Sequence, residues 1–256
     1  MYNEINNKDL QVIKNYFIKN NLPKKNGIVV ECGAASGGYN PSLFLEKKLD
    51  WQFIGIEPNP QFWDALNKNR SSLNALKIYK ALSDVDGISE FCVAGDNSSL
   101  HHSDEHIREL IGLGRYNASN KIIVNTMKWE TFLLEYNISS VDLLILDVEG
   151  CELSVLNGMI NSIILPDIMI VEYPRSDYTF KLKNPITKED FSGFKIIKDK
   201  LYDLGYLFDY VQDANAFFSK KSFWNDRERP EKWYGEDNIY VLTGFIRYDK
   251  EKCKNI

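Results

Sequence analysis

Several features that would place this sequence in a common class are missing from it. The 256-residue chain has no apolar run approaching about 18 residues, so we expect no membrane-spanning helix. The first ten residues, MYNEINNKDL, lack the hydrophobic core of a secretory signal, and we therefore expect a cytoplasmic protein. Basic residues number 31 and acidic residues 36, and the net charge of −5 argues against general nucleic-acid binding.

Familiar cysteine and glycine motifs are also absent. The four cysteines, Cys32, Cys92, Cys151 and Cys253, form no CxxC pair, so neither a structural zinc site nor a disulfide framework is expected. The chain has neither the GxGxxG nor the GxxxxGK[ST] pattern of loops that bind nucleotide phosphates. Its glycine-rich turn must therefore serve another kind of ligand.

That turn belongs to residues 28–39, IVVECGAASGGY. The apolar run predicts a buried strand ending near Glu31, and Gly33, Gly37 and Gly38 let the backbone turn sharply and approach a ligand. An acid at the strand end beside such a turn suits a ligand that carries an amine and a ribose. The stretch therefore indicates S-adenosylmethionine before a nucleotide phosphate.

Apolar runs alternate with helical patterns over residues 28–173. Continuously apolar segments at 51–56, 76–79, 141–146 and 168–171 predict a parallel sheet covered on both faces by helices. We predict a single domain, with a cofactor-binding core at 28–180. The remainder, 181–256, is expected to hold a helix at 191–204 and closing strands at 206–218 and 239–248. A substrate-side insertion, 219–238, lies between those strands.

Four of the apolar strands end in acids, at Glu31, Glu57, Asp147 with Glu149, and Glu172. Ligands of such sheets bind beyond the carboxyl ends of the strands, so these acids are expected at one edge. Glu57 ends the strand after the glycine turn, where a carboxylate can accept two hydrogen bonds from ribose hydroxyls.

Five ordered segments resemble the FkbM-type branch of class I S-adenosylmethionine-dependent methyltransferases. They are VVECGAASGGY, IGIEPNPQFWDALNKN, ALSDVDGISEF, LLILDVEGCELSVLNGM and DIMIVEYP, and they span about residues 28–173. The resemblance implies a Rossmann-like α/β fold, a doubly wound and mostly parallel seven-stranded sheet with a late antiparallel strand. Two positions depart from the family pattern. The family often has Asn where this chain has Ala35, and Lys where this chain has Ile145. The loss of that lysine changes the charge on the acceptor side.

The resemblance also implies a set of cofactor contacts and the activity of an O-methyltransferase acting on sugar or polyketide-type hydroxyls. The methionine part and the edge of the sugar would be surrounded by Glu31, Gly33, Ala34 and Gly37. Glu57 would hold the ribose diol, with Asn59 beside it. Leu82 and Ser83 would border the adenine, and Asp147 would lie near the sulfonium or the acceptor.

Methyl transfer to a hydroxyl needs an aligned acceptor and a route for its proton. Either the acid pair Asp147 and Glu149 or the loop residues His101 and His102 can supply the general base. A divalent metal held by Asp147, Glu149, Glu172 or a histidine is a third route. We do not favour the metal, because the sequence shows no fixed ligand spacing.

The acceptor is expected to be a sugar, either nucleotide-activated or part of a surface-glycan precursor. Aromatic side chains suit the face of a sugar, and arginines suit a diphosphate. The residues predicted to bind the acceptor are Glu172, Tyr173, Arg175, Tyr178, Trp224, Arg227 and Arg229.

Two other functions stay open on the sequence. An NAD-dependent sugar oxidoreductase on a related fold would also use Glu57 for a ribose, but the chain lacks GxGxxG and a Tyr-x-x-x-Lys pair on a plausible helix. A non-catalytic binding module is less favoured, because Glu31, Gly33, Glu57 and Asp147 are intact. The oligomeric state is open, and a homo-oligomer is compatible with the sequence.

Overall fold

A computed structural model describes residues 7–19, 22–38, 42–100, 120–172, 193–212, 215–231 and 233. Within them the helices are α1 (Asn7–Tyr16), α2 (Ser42–Leu49), α3 (Trp63–Asn69), α4 (Trp129–Glu135), α5 (Glu152–Gly158) and α6 (Gly193–Asp203). Short 3₁₀ turns occupy Pro60–Phe62 and Lys221–Trp224. No helix in this described part is long and apolar enough to cross a membrane.

The strands follow the chain in two groups. The first comprises β1 (Ile18–Lys19), β2 (Leu22–Pro23), β3 (Ile28–Cys32), β4 (Gln52–Ile56), β5 (Leu76–Ile78) and β6 (Ala81–Leu82). The second comprises β7 (Gly87–Cys92), β8 (Lys121–Met127), β9 (Leu143–Leu146), β10 (Ile168–Glu172), β11 (Tyr206–Gln212) and β12 (Asn215–Lys220).

Seven strands form the main sheet, in the order β11-β12-β10-β9-β3-β4-β5. The strands from β10 to β5 pair in parallel, whereas β12 is antiparallel to both β10 and β11. This arrangement confirms the predicted Rossmann-like, mostly parallel sheet with one late antiparallel strand.

Alternate residues of the central strands face two layers of helices. Val30 and Leu144 pack toward α4, α5 and α6, whereas Val29 and Leu143 pack toward α1, α2 and α3. All four side chains are fully buried, which explains why these strands are continuously apolar rather than alternating. With both faces covered, the edge at the carboxyl ends of the parallel strands is available for a site.

A separate three-stranded sheet, in the order β6-β8-β7, adjoins the main sheet. Its strands β7 and β8 are antiparallel, and β6 pairs in parallel with the end of β8. β8 extends to Met127, because its last two residues, Thr126 and Met127, pair with Ala81 and Leu82 of β6.

The closing hairpin differs from the sequence prediction. Residues 206–218 were predicted as one strand paired with a later strand at 239–248, whereas β11 and β12 form the hairpin within residues 206–220. The predicted strand at 239–248 lies outside the described residues. Sequence reasoning joined β11 and β12 because the apolar pattern continues through both strands.

Candidate active site

The carboxyl ends of the parallel strands bring the predicted acids to one edge of the sheet. Cys32 of β3 is in register with Ile56 of β4 and with Leu146 of β9, and Val171 of β10 is in register with Leu146. The residues that follow these positions are therefore neighbours in space. The site is built on this edge.

Glu57 lies at the end of β4 and is held by the backbone on both sides. Its Oε2 accepts a hydrogen bond from the Ala35 N–H at 2.8 Å, and its Oε1 accepts one from the Asn59 N–H at 2.7 Å. The side chain is 5% exposed, and burial raises the pKa of Glu57 to about 7. A carboxylate has about four acceptor positions, so two of them stay available to a ligand.

The residues of the glycine turn differ in how easily they adopt its backbone conformation. Gly33 has φ +83°, and a Cβ atom there would lie 1.7 Å from the carbonyl oxygen of Asp147. Ala35 also lies in the left-handed region, at φ +43°, where asparagine is better tolerated than alanine. Gly33 is therefore required by the close approach of the β9 end, beyond any freedom that the turn itself needs.

Three carboxyl groups meet where β9 and β10 end. Asp147, Glu149 and Glu172 each place one carboxylate oxygen within 4.8 Å of the other two. Burial, then a hydrogen bond and repulsion from Asp147, hold the pKa of Glu172 far above its usual range. Burial and the charge of Asp147 raise the pKa of Glu149 to about 7. Glu149 can therefore hold and release a proton near neutral pH. One oxygen from each of the three acids could also hold a cation.

The loop that carries two of these acids is stabilised by a fourth one. Glu152, 3% exposed at the start of α5, accepts hydrogen bonds from the N–H groups of Val148 and Gly150 at 3.1 and 3.2 Å. Glu149 has φ +54°, a conformation that costs energy for a residue with a side chain. Glu152 thus fixes the tight turn that presents Asp147 and Glu149.

Residues 92–99 bridge the two sides of the site. The Ser98 hydroxyl accepts a hydrogen bond from Asn59 Nδ2 at 3.1 Å, while Ser99 Oγ donates to the Val148 carbonyl at 3.2 Å. Asn97 Nδ2 donates to Glu149 Oε1 at 3.3 Å. This segment therefore connects the loop after β4 with the loop after β9.

Between these elements lies a cavity of about 300 Å³. This volume lies at the small end of ligand sites, which typically measure ~300–1,000 Å³. Of the predicted site residues, those that line it are Gly33, Ala34, Gly37, Glu57, Leu82, Asp147 and Glu149.

The lining fits the cofactor that the sequence predicts. Glu57 offers open acceptor positions for a ribose diol, and the turn 33–38 brings its backbone to the wall of the cavity. Phe62, Leu82 and Phe91 supply an apolar wall suited to a purine ring. The carboxylates of Asp147 and Glu149 also line the cavity and give it a negative character that suits a sulfonium or an ammonium group.

Three predicted cofactor residues do not line the cavity themselves. Glu31 is 1% exposed, and its Oε2 is paired with Arg70 and Ser42. Asn59 positions Glu57 through its N–H group, and the Ser83 hydroxyl forms a hydrogen bond with the Ser154 hydroxyl of α5. The sequence correctly placed each of these residues near the end of a strand. It did not show in which direction each side chain points.

The predicted acceptor residues in the insertion lie elsewhere. β12 runs antiparallel to β10, so its last residues pair with Ile168 at the amino end of β10, and the turn that follows lies at the opposite edge from Glu172. There Trp224 donates to Ser219 at 2.8 Å, and Arg229 forms an ion pair with Asp209 at 2.7 Å. Arg227 stacks on Phe223, with its guanidinium 4.0 Å from the ring centre.

The structure therefore corrects the placement of Trp224, Arg227 and Arg229: they stabilise the amino-end edge and do not face the cavity. Composition alone misled the prediction, because aromatic and arginine side chains suit a sugar phosphate and a packed surface equally well. The predicted base residues His101 and His102 and the predicted acceptor residues Tyr173, Arg175 and Tyr178 lie outside the described residues, so their roles stay predictions.

The sequence did not predict the apolar wall of the cavity or the contribution of residues 92–99 to its lining. Phe62 and Phe91 line the cavity, and Ser98 and Ser99 do so from the segment 92–99. The only signal in the sequence was the polar run Asn97-Ser98-Ser99 directly after an apolar strand, and it does not reveal what the serines bind.

Comparison with known proteins gives a family and distant structural neighbours. The family model described as the methyltransferase FkbM domain matches residues 31–208. No curated protein sequence matches the chain.

Among solved structures, Aeropyrum pernix fibrillarin with bound S-adenosyl-L-methionine has a TM-score of 0.42 and 16% identity, covering 82% of this chain and 70% of that chain. A putative RNA methyltransferase from Pyrococcus horikoshii has a TM-score of 0.39 and 12% identity, covering 79% and 76%.

Proposed function

Because the chain belongs to the FkbM family of S-adenosylmethionine-dependent methyltransferases, we propose that it methylates a hydroxyl group of a sugar. The acceptor class that we favour is a nucleotide-activated sugar or a surface-glycan precursor. The methyl donor supplies an electrophilic carbon on a sulfonium, and the protein must align a hydroxyl behind it and accept the proton.

The observation that supports an oxygen acceptor is the cluster of Asp147, Glu149 and Glu172 beside the donor cavity. Carboxylates accept hydrogen bonds from hydroxyl groups and can orient a polyol by two or three such bonds. Among the described residues, no lysine or arginine lines the cavity. The cluster of acids is therefore less suited to an acceptor atom that carries a negative charge. The proposed acceptor therefore carries several hydroxyl groups.

Within this cluster we assign different roles to the three acids. Glu149 is the proposed general base, because its pKa of about 7 is close to a neutral working pH. Asp147, the most exposed of the three, is proposed to hold the reacting hydroxyl. Glu172 stays protonated at neutral pH and donates a hydrogen bond to Asp147, which fixes the orientation of that carboxylate.

The proposal is tested by product analysis. Nucleotide sugars and free sugars are incubated with the enzyme and S-adenosylmethionine carrying a trideuterated methyl group, and the products are examined by mass spectrometry. We expect one acceptor to gain a labelled methyl group on oxygen. If no member of a broad panel is methylated while the cofactor binds, the sugar assignment fails and the cofactor assignment stands.

The roles of the acids predict a pH effect. With the identified acceptor, kcat/KM should rise with pH through about 7 as Glu149 loses its proton, and Glu149→Gln should abolish this limb and lower kcat by roughly 10²–10⁴-fold. Asp147→Asn should lower kcat while binding of S-adenosylhomocysteine is largely kept. A Glu149→Gln enzyme with the same profile as the wild type would contradict this assignment and move attention to His101 and His102.

A further inference from the structure

Two consecutive residues at the carboxyl end of α3 hold the glycine turn 33–38. Asn69 Nδ2 donates a hydrogen bond to the Ser36 carbonyl at 2.8 Å, and Arg70 Nε donates one to the Gly37 carbonyl at 2.7 Å. Both carbonyls belong to residues that line the cavity, whereas Asn69 and Arg70 do not line it. The conformation of the cavity wall is thus fixed by residues behind it.

Arg70 also connects the turn to a group of buried charges. Its side chain is fully buried, with Nη1 donating to Glu46 at 2.8 Å, and Nη2 donating to Ser42 Oγ at 2.6 Å and to Glu31 at 3.4 Å. The guanidinium lies 3.9 Å from the centre of the Phe53 ring. A guanidinium can serve these acceptors together because it carries five N–H donors in a rigid plane, and a lysine ammonium cannot.

The position of α3 gives these contacts a further consequence. The helix follows Glu57 after only the short segment 58–62, and its other end contacts the glycine turn. One helix therefore connects the acid proposed to bind the ribose with the turn proposed to bind the methionine part. A wall that is held in its binding conformation beforehand loses less conformational entropy when the ligand binds.

We propose that Asn69 and Arg70 are positioning residues for the methyl donor, and that Glu31 acts on the donor through Arg70 instead of contacting it. This inference rests on the proposal that the glycine turn binds the donor. In it, Glu31 and Glu46 orient the guanidinium, the guanidinium fixes the Gly37 carbonyl, and Asn69 fixes the neighbouring carbonyl of Ser36.

The test is calorimetric titration with S-adenosylhomocysteine. Asn69→Ala removes the contact with Ser36 alone, and Arg70→Lys keeps a positive charge beside Glu31 but cannot also keep the bond to Gly37. We expect Kd to rise about 3–10-fold for Asn69→Ala and about tenfold or more for Arg70→Lys, with unchanged stoichiometry.

The matched control is Asn15→Ala. Asn15 Nδ2 donates a buried hydrogen bond to the Tyr210 hydroxyl at 3.0 Å, between α1 and β11 and away from the glycine turn. This variant should bind S-adenosylhomocysteine with the Kd of the wild type, even if its melting temperature falls.

Glu31→Gln separates an indirect role of Glu31 from a direct one. It should raise Kd in the wild-type background and have little further effect in the Arg70→Lys background, because both changes release the same carbonyl. Additive effects would overturn the indirect role. Should Arg70→Lys fail to fold, Asn69→Ala still tests whether residues behind the turn position the donor, because its contact with the Ser36 carbonyl is independent of Arg70. An unchanged Kd for that variant would overturn the inference.

A purely structural role gives a different result. The variants would then have a lower melting temperature and a smaller fraction of protein able to bind, with an unchanged Kd. That result would overturn this inference and leave the donor assignment intact. If the wild type does not bind S-adenosylhomocysteine at millimolar concentration, the donor assignment fails, and this inference fails with it.

Discussion

Glu57 illustrates how much of a site can depend on one carboxyl group. Both of its oxygens accept backbone N–H groups, one from the glycine turn and one from the loop that precedes α3. The residue therefore ties together two loops while presenting its open acceptor positions to the cavity. Its burial makes it sensitive to any loss of acceptor capacity.

Glu57→Gln should weaken binding of S-adenosylhomocysteine by about 10–100-fold. One end of an amide is a donor, so it cannot accept from the Ala35 or Asn59 N–H group, and a hydrogen bond to a charged acceptor is worth about 1.5–3 kcal/mol. Calorimetry gives the Kd, with Glu135→Gln as control, because Glu135 is exposed and pairs with Lys80. An unchanged Kd would show that Glu57 does not bind the cofactor.

At the scale of elements, the glycine turn and the end of β9 must approach each other closely. Gly33 and Gly205 have nearly the same positive φ, +83° and +88°. A Cβ atom at Gly33 would meet the Asp147 carbonyl at 1.7 Å, whereas one at Gly205 would meet nothing within 4 Å. The pair therefore separates the conformational cost of alanine from the cost of a steric clash.

We expect Gly205→Ala to lower the free energy of unfolding by about 1–2 kcal/mol, the cost of a left-handed alanine. Gly33→Ala should lower the free energy of unfolding by this amount and by about 1–3 kcal/mol more, because the added Cβ atom forces two backbones apart. It should also abolish binding of S-adenosylhomocysteine. Urea denaturation measures the two stabilities. Equal losses for both variants would mean that the β9 end moves away easily and that the contact is not tight.

The amino-end edge of the sheet has a stabilising role that composition disguised. The carboxylate of Asp209 is fully buried and accepts hydrogen bonds from Arg229 at 2.7 Å, Ser219 at 3.0 Å and Tyr16 at 2.9 Å. This group connects α1 with the closing hairpin. Without Arg229, the cost of burying the charge of Asp209 is no longer offset by an ion pair.

Arg229→Ala should therefore lower stability by about 1–3 kcal/mol, an amount reduced by the partial exposure of the arginine. It should leave the Kd for S-adenosylhomocysteine and the KM for the acceptor unchanged, because the residue lies at the edge opposite the cavity. Thermal denaturation and steady-state kinetics check the two statements. A raised acceptor KM with unchanged stability would restore the role that the sequence suggested.

At the scale of the whole molecule, several carboxyl groups have pKa values well above the ordinary range for Asp and Glu. Burial is the first cause in each case: it raises the pKa of Glu57, Glu149 and Glu152 to about 7 and that of Asp209 to about 6, and it raises the pKa of Glu172 further. In the unfolded chain the same groups ionise near their ordinary values of about 4. Between these limits the folded protein binds more protons than the unfolded chain.

The free energy of unfolding should therefore fall as pH rises through this window. The contribution of these groups is complete below about pH 4, declines as pH rises toward 7, and is largely lost above it for the four groups with the lower pKa values. We expect the ligand-free protein to melt roughly 3–8 °C higher at pH 5.5 than at pH 7.5. Differential scanning calorimetry measures this, and a melting temperature that rises with pH would contradict the assigned protonation states.

The sequence by itself determined the class of the fold and the edge at which the candidate site lies. Continuous apolar runs separated by helices leave a parallel sheet with both faces covered, and the acids at the ends of those runs must then meet at one edge. The prediction that Glu57, Asp147 and Glu149 lie together depended only on this one-dimensional pattern.

Tertiary structure alone decided where the side chains point and which elements share an edge. Glu31 ends a strand like Glu57 does, yet it pairs with Arg70, a residue 39 positions away that no local pattern connects to it. The antiparallel direction of β12 carries Trp224, Arg227 and Arg229 to the edge opposite the cavity. Direction and pairing depend on contacts between distant segments, and local sequence carries no information about such contacts until the chain has packed.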